Sequence, residues 1–273
     1  PLDDQPLRRI RYGVFVFASE VKALALFINT VNELTPGNDF DTRGSHAYFE
    51  LELNLNPSDD SPERIARLLK KTLENSVKGF INTDNIGSWL SGGLDSSVIC
   101  SIAAKNIKNF KTFAAGVKGA PDLVHASEVS AFIRSEHHEL VVSVDDMVRH
   151  LPDVIYHLES FDALLVRSSI TNFLVGKLAS QYVSEVFSGE GGDELFAGYD
   201  SLKLIPLALL PSELVKITGN LHNTALQRVD RCSSANGTAA HVPFLTPEMV
   251  KLAFSIPARY KLHNNTEKWI LRK

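Results

Sequence analysis

The sequence predicts an α/β fold in which a parallel twisted sheet carries helices on both faces and is followed by a helical C-terminal part. Short apolar segments bounded by turn residues alternate with segments of helical periodicity between residues 86 and 187, as in parallel sheets. From residue 202 onward no strand pattern is evident, so the last part of the chain is predicted to be mostly helical.

The predicted elements follow in order along the chain. Before residue 62 we expect a strand at 14–17, a short helix at 19–24, and an edge strand plus linker between 41 and 61. Pro62 fits the first turn of a helix capped by Ser61 or Asp60. The alternating region is predicted to hold strands at 86–90, 112–117, 138–142 and 185–187, and helices at 97–105, 126–134, 145–158 and 168–180.

Composition excludes several classes of protein. The 273 residues are 44% hydrophobic and 22% charged, which is ordinary for a globular chain and unlike a disordered or fibrous one. The net charge of −4 argues against a nucleic-acid binder. No apolar run is long enough to cross a membrane. Cys100 and Cys232 are the only cysteines, so we expect no disulfide scaffold or zinc site and a cytoplasmic location.

A glycine-rich segment, residues 91–97 (SGGLDSS), joins a predicted strand to a predicted helix. Paired glycines let the backbone approach a ligand, and a helix N-terminus offers free N–H groups to an anion. The segment lacks the lysine of a GxxxxGK[ST] loop, so it fits pyrophosphate capture better than γ-phosphoryl transfer. Asp95 would repel a bare phosphate and is predicted to bind a bridging Mg²⁺. The predicted phosphate contacts are Ser91, Gly92, Gly93, Ser96 and Ser97.

A second segment, residues 187–199 (FSGEGGDELFAGY), follows the strand predicted at 185–187. The SGGLDSS segment resembles the signature of the PP-loop ATP pyrophosphatase family, whose fold is that of the adenine nucleotide alpha hydrolases. The second segment closely resembles the signature of the asparagine synthetase members of that family. Further segments that agree with the resemblance are 119–122 (GAPD), 153–162 (DVIYHLESFD), 228–231 (RVDR), 241–245 (HVPFL) and 267–272 (EKWILR).

The resemblance implies three parts in the chain. Residues 1–40 resemble the tail of an Ntn-type glutamine amidotransferase domain, 41–61 a linker, and 62–273 the synthetase-type ATP pyrophosphatase domain, shortened at its C-terminus. The family's glutamine-hydrolysing N-terminal cysteine is absent, so we expect ammonia to be the nitrogen donor and a separate glutaminase domain or subunit to be a partner. The family's Arg-x-Lys lysine is also absent, and Lys268 is not that residue; we therefore expect this chain to bind nucleotide better than it catalyses.

The resemblance implies ATP and Mg²⁺ as cofactors, and aspartate and ammonia as substrates. In the family, the aspartate β-carboxylate attacks the α-phosphorus of ATP, pyrophosphate leaves, and ammonia displaces AMP from β-aspartyl-AMP to give asparagine. By resemblance Glu190 handles the aspartyl-adenylate and the attacking ammonia, and Arg167 lies near the anionic substrate. Asp95 and Asp193 are expected to share Mg²⁺. The remaining nucleotide contacts implied by the resemblance are Leu90, Ala115, Ser188 and Gly189.

Several alternatives stay open at this point. Arg167 is also compatible with a surface charge, and Glu194 with a structural partner. No residue fixes aspartate as the substrate, and Leu164 and Leu165 replace small polar residues of many members, so a β-lactam-synthetase-like adenylation of another carboxylate remains an alternative. So does an incomplete or non-catalytic ATP-binding chain, and a homodimer is compatible with the sequence. The family's Glu, Arg and Asp are replaced by Ala239, His241 and Thr246.

Overall fold

A computed structural model describes residues 15–54 and 56–273. The chain divides into two compact units, with the boundary between Glu52 and Leu53. The described part of the first unit contains helix α1 (Val21–Leu24) and an antiparallel hairpin of strands β1 (Asn38–Asp41) and β2 (Gly44–Ala47).

The first unit differs from the sequence prediction in two ways. The strand predicted at 14–17 is not formed over residues 15–17, and residue 14 lies outside the described residues. Instead of one edge strand after residue 41, the chain forms a hairpin that begins at Asn38. The hairpin turn is closed by the Asp41 side chain, which accepts a 2.7 Å hydrogen bond from the backbone N–H of Arg43, a local side-chain contact that favours turns.

The second unit holds the main sheet and its helices. Its helix α2 (Pro62–Gly79) begins as predicted, with Ser61 accepting a hydrogen bond from Arg64 N at the N-cap. The following elements are β3 (Ile86–Trp89), α3 (Leu94–Ala103), β4 (Lys111–Val117), α4 (Pro121–Ile133), β5 (Glu136–Val142), α5 (Val144–Leu158), α6 (Ala163–Ala179), β6 (Glu185–Phe187), α7 (Gly192–Phe196), α8 (Leu210–Gly219), α9 (Ala225–Ser234), β7 (Ala239–His241), α10 (Pro247–Ser255), α11 (Ala258–Lys261) and α12 (Trp269–Arg272).

The main sheet has five parallel strands in the order β5-β4-β3-β6-β7. Successive strands along the chain are therefore placed outward from β3 to β4 and β5, and β6 is then placed on the other side of β3. The strand order reverses between β3 and β6. In open parallel sheets this switch point leaves a crevice beyond the carboxyl ends of the two strands, where ligands bind.

Both faces of the sheet are covered, as the sequence predicts. Neighbouring strand residues point to opposite faces. Phe113 and Val186 pack in a cluster with residues of α6 and α9, whereas Ala114 and Phe187 pack in the larger cluster with α2, α3 and α10. The four strands predicted between 86 and 187 are confirmed within two residues. Helix α6 starts five residues earlier than predicted because the Asp162 side chain caps it, accepting from Leu165 N at 2.7 Å.

The C-terminal part is mostly helical, as predicted, but it contains one strand that the sequence pattern does not show. Residues Ala239–His241 form the fifth strand, β7, which pairs in parallel with β6. Three residues are too few to show an alternating pattern, and the strand is stabilised by its pairing with β6 rather than by local preference. Among the described residues, no helix combines the length and the apolar character needed to cross a membrane.

Candidate active site

The SGGLDSS loop (residues 91–97) leaves the carboxyl end of β3 and starts helix α3. Gly92 has a left-handed backbone conformation with φ of 77°, and a Cβ at this position would lie 2.7 Å from the backbone nitrogen of Ala126 in α4. A residue with a side chain does not fit there. The loop therefore passes close against the N-terminal half of α4.

Serine side chains hold the SGGLDSS loop in shape. The Ser91 N–H donates to Ser96 Oγ at 3.2 Å, and Ser97 Oγ donates to the Gly93 carbonyl at 2.6 Å. Both acceptors belong to the loop itself. Ser91 and Gly93 are exposed, whereas Ser96 is buried. The hydroxyls that the sequence analysis assigns to phosphate therefore have structural partners within the loop in this conformation.

The SGEGGDE loop (residues 188–194) leaves the carboxyl end of β6, the strand beside β3. It is anchored to β7, because Ser188 N donates to the His241 carbonyl at 2.8 Å. At Gly189 the two loops are at close approach: a Cβ there would lie 3.0 Å from Ser96 N and 3.2 Å from Asp95 Cβ. The structure thus brings the two predicted segments together at the switch point of the sheet.

A lysine lies between the two aspartates that the sequence predicts as metal ligands. Lys268 Nζ donates to Asp95 Oδ2 at 2.5 Å and pairs with Asp193 Oδ1 at 2.8 Å. The backbone helps to place it, since Lys268 N donates to the Phe196 carbonyl at the end of α7, the helix that carries Asp193. Gly198 leaves room for this pair, because a Cβ there would collide with Asp193 Oδ1 and Lys268 Cε.

Burial and neighbouring charges have opposite effects on the pKa values of Asp95 and Lys268. Burial raises the pKa of Asp95 to about 6 and outweighs the charge of Lys268, which lowers it. For Lys268, burial lowers the pKa, but the charge of Asp95 and the hydrogen bonds with Asp193 and Asp95 outweigh burial and raise it. The lysine is therefore held in its charged form beside two carboxylates in a largely water-excluded place.

The two aspartates fit a magnesium ion that also binds phosphate oxygens. Asp95 Oδ1 is buried without a hydrogen-bond partner among the described residues, so this oxygen is free to bind a metal. The Asp193 side chain is 38% exposed. Among the described residues, no group of three or more His, Cys, Asp or Glu side chains is arranged to hold a metal by itself. Mg²⁺ in nucleotide sites commonly has one or two protein carboxylates and takes its other ligands from phosphates and water.

Glu190, predicted to act on the adenylate and ammonia, has a charged partner that sequence reasoning missed. Arg228 Nη2 donates to Glu190 Oε1 at 2.7 Å, and Arg228 Nη1 donates to Ser168 Oγ at 3.1 Å. The side chains of Glu190 and Arg228 are about one-fifth exposed. Arg228 lies on α9 and Ser168 on α6, so the packing of these two helices fixes the orientation of the Glu190 carboxylate.

Glu194 is a structural partner, as the alternative interpretation of the sequence holds. Its side chain is buried and accepts a hydrogen bond from the Tyr199 hydroxyl. Burial raises the pKa of Glu194, while the Tyr199 hydrogen bond lowers it. The other carboxylate oxygen, Oε2, is buried without a partner among the described residues.

The other predicted site residues, Leu90, Ala115 and Arg167, differ in burial and in their contacts. Leu90 is fully buried, and its N–H donates to the Phe113 carbonyl at 2.8 Å. Ala115 is half-buried on β4, opposite Leu140 of β5. Arg167 lies on α6 and is exposed; within the part of the chain that the structure describes, it makes no hydrogen bond or salt bridge. The structure therefore does not bring Arg167 into the contacts that join the two loops.

The sequence contains different signals for the two contacts that it did not predict, Arg228 with Glu190 and Lys268 with Asp95. Arg228 belongs to the RVDR segment noted in the sequence, but nothing local to α9 distinguishes an inward arginine from a surface one. Lys268 follows Glu267 in the EKWILR segment, and its left-handed backbone, with φ of 52°, is a tertiary feature. Only the apolar residues after it, with Ile270 buried in the main core, indicate that this segment packs inside.

Comparisons with known proteins place the chain in one sequence family. The model of the asparagine synthase family matches residues 68–215 and 208–273. A probable glutamine-hydrolysing asparagine synthetase of Schizosaccharomyces pombe is 35% identical over 289 residues, covering 94% of this chain and 51% of the relative. The glutamine-hydrolysing asparagine synthetase of Sandersonia aurantiaca is 37% identical over 225 residues, covering 75% of this chain and 42% of the relative.

Among solved structures, the NH3-dependent NAD synthetase of Campylobacter jejuni is similar at a TM-score of 0.36 and 17% identity, covering 51% of this chain and 61% of that one. The chain spans about half the length of the curated relatives it matches. The family model covers well over half of the chain, in the region that forms the sheet and both loops. The chain belongs to the asparagine synthase family.

Proposed function

We propose that this chain carries the ATP-binding and adenylating part of an ATP-dependent amide-forming ligase. The observation that carries the proposal is the meeting of the SGGLDSS and SGEGGDE loops at the switch point of the sheet, where Lys268 joins Asp95 to Asp193. A glycine loop that opens a helix can hold phosphates, and the carboxylates and the lysine beside it supply sites for a cation and for an anion.

Different residues of this chain would bind the phosphates and the metal ion during pyrophosphate release. Backbone N–H groups at the start of α3 would bind the β- and γ-phosphates, and Lys268 would pair with an oxygen of the departing pyrophosphate. Asp95 and Asp193 would hold Mg²⁺, which supplies positive charge to the leaving group. The absence of a P-loop lysine in residues 91–97 supports cleavage at the α-phosphorus rather than transfer of the γ-phosphoryl group.

Glu190 would serve the amide-forming half of the reaction. An amine that attacks an acyl-adenylate must lose a proton, and a carboxylate at the rim of the site can accept it. Arg228 holds one oxygen of Glu190 and leaves the other for this task. The substrates proposed are aspartate, activated as β-aspartyl-AMP, and ammonia, which gives asparagine and AMP. The names of the relatives include glutamine hydrolysis, which supports a glutaminase domain or subunit as the source of the ammonia.

The deciding experiment identifies the nucleotide products. The chain is incubated with ATP, Mg²⁺, aspartate and ammonium, and the products are separated by chromatography. We expect AMP and pyrophosphate with ammonium as the nitrogen donor; ADP as the main product would overturn the proposal. Asp95→Asn should lower Mg·ATP affinity at least tenfold by calorimetry, whereas Asp84→Asn, on the exposed segment before β3, should leave it unchanged. Equal affinity in the two variants would exclude Asp95 as a metal ligand.

A further inference from the structure

The second unit contains a cavity whose lining residues are separate from those of the candidate active site. Its volume is about 270 Å³, and α8, α10 and α11 contribute most of its wall. The residues that matter for its chemistry are Pro211, Ser212, Leu214, Phe254, Ile256 and Lys261. Clefts for drug-sized ligands measure roughly 300–1,000 Å³, so this one suits a smaller molecule.

Of the described residues that line this cavity, Lys261 alone is charged. Only 3% of it is exposed, and its ammonium nitrogen lies 5.0 Å from the centroid of the Phe254 ring. Among the described residues it has no hydrogen bond or salt bridge with a carboxylate. Burial lowers the pKa of Lys261 to about 7. A buried amine without a counter-ion is unusual, because the charge loses its hydration and nothing replaces it.

The other charged groups on the surrounding helices do not compensate Lys261. On α8, Glu213 pairs with Lys216 at 3.5 Å and neither lines the cavity. Glu248 and Lys251 on α10 are exposed. On α11, Arg259 lies over the Tyr260 ring at 4.8 Å. Among the described residues Lys261 therefore has no anionic partner, and the cavity beside it has room for one from outside the chain.

The rest of the wall indicates what that anion is attached to. Leu214, Phe254, Ile256 and Pro211 present hydrocarbon, which favours an aliphatic group. The Ser212 hydroxyl donates to the Leu209 carbonyl at 2.7 Å, so its proton is already used. A phosphate, with several charged oxygens, would leave most of them unpaired among apolar side chains. A single carboxylate with a short aliphatic tail can pair with the Lys261 ammonium and pack against the apolar side chains of the cavity.

We propose that this cavity is a binding site for a small aliphatic monocarboxylate, whose carboxylate pairs with Lys261 and whose tail lies against Leu214, Phe254 and Ile256. Binding at this site takes up a proton, because the incoming carboxylate favours the charged form of the lysine. The site is separate from the ATP chemistry proposed above, and neither proposal depends on the other.

The test uses hexanoate as the probe and the full 273-residue chain. Hexanoate is titrated by calorimetry at pH 8 in phosphate and in Tris, two buffers of different ionisation enthalpy, so that the difference in heat measures proton uptake. We expect saturable binding with proton uptake, at least tenfold weaker binding of hexanol, and no binding of hexylammonium. Hexanol binding as tightly as hexanoate, or hexanoate failing to bind, would overturn the proposal.

Two variants locate the site. Lys261→Met keeps the length and apolar stem of the side chain and should weaken hexanoate binding at least tenfold and remove the proton uptake. Ala208→Trp, at an exposed position on the cavity wall, should block the cavity without altering the core, so it decides the matter if Lys261→Met does not fold. Unchanged hexanoate affinity in the folded variant contradicts the proposal. ATP binding, measured alongside, should be the same in both variants and the parent chain.

Discussion

Lys268 donates a 2.5 Å hydrogen bond to Asp95, a residue 173 positions earlier in the chain, and both side chains are about nine-tenths buried. By resemblance, the lysine that supports adenylation in the family lies in another segment and is not Lys268. The fold instead brings a lysine from the EKWILR segment to the two aspartates of the glycine loops. Among the described residues, the site thus holds a lysine between two carboxylates that come from separate segments of the chain.

Replacing Lys268 by methionine should destabilise the fold. The buried Asp95 carboxylate would then lie near Asp193 without a counter-ion, and breaking a buried pair typically costs about 3–5 kcal/mol. Urea unfolding at pH 8 should give a lower midpoint for Lys268→Met. The matched control, Lys70→Met on the exposed face of α2, should stay within about 0.5 kcal/mol of the parent. Equal stability of the two variants would show that the Lys268 pair contributes nothing.

The contact between Arg228 and Glu190 should be measurable as a coupling free energy. A double-mutant cycle with Arg228→Met and Glu190→Gln, followed by urea unfolding, should give about 1–3 kcal/mol, because the 2.7 Å pair is mostly buried. The exposed pair Arg149–Asp146, 3.2 Å apart, provides the comparison and should give less than about 0.5 kcal/mol. A coupling no larger than that of the exposed pair would mean that Arg228 does not hold Glu190.

A methyl group at Gly189 should separate the two loops. The added Cβ would lie 3.0 Å from Ser96 N, so the SGEGGDE loop must shift away from the SGGLDSS loop. We expect Gly189→Ala to lower Mg·ATP affinity at least tenfold in calorimetry and to cost about 1–3 kcal/mol of stability. Gly219→Ala, where a Cβ meets nothing within 4 Å, is the control. If both variants bind ATP like the parent, the close approach of the loops is not needed for binding.

Lys261 should make stability depend on pH above neutrality. Its pKa is about 7 in the folded chain, below the ordinary value of 10.5, so between these values the unfolded chain binds more protons. The free energy of unfolding should therefore rise with pH from about 7 to about 10, by at most about 1.4 kcal/mol per pH unit. Urea unfolding across this range should show the rise in the parent and in Lys251→Met, an exposed control. The rise should vanish in Lys261→Met; its persistence there would assign it to other groups.

The sequence by itself determines the elements and motifs of the main unit. Apolar segments bounded by turns place the strands from β3 to β6, because strand and helix periodicities are local properties of the chain. The glycines and acidic residues of segments 91–97 and 188–194 indicate phosphate and metal binding from the sequence alone. The strand order and its switch point then explain why the two loops meet, since the carboxyl ends of neighbouring parallel strands lie at one edge.

The tertiary structure decides which side chains from distant segments complete the site. Lys268 reaches Asp95 because Ile270 is buried in the core and the Lys268 N–H binds α7, and Arg228 reaches Glu190 because α9 packs on α6. The three residues of β7 form a strand because β6 offers them an edge. Each of these contacts joins segments far apart in the chain, and its stability comes from packing and burial of charge. Local sequence patterns do not predict such contacts, whereas the periodicity of a strand or helix depends on its own residues.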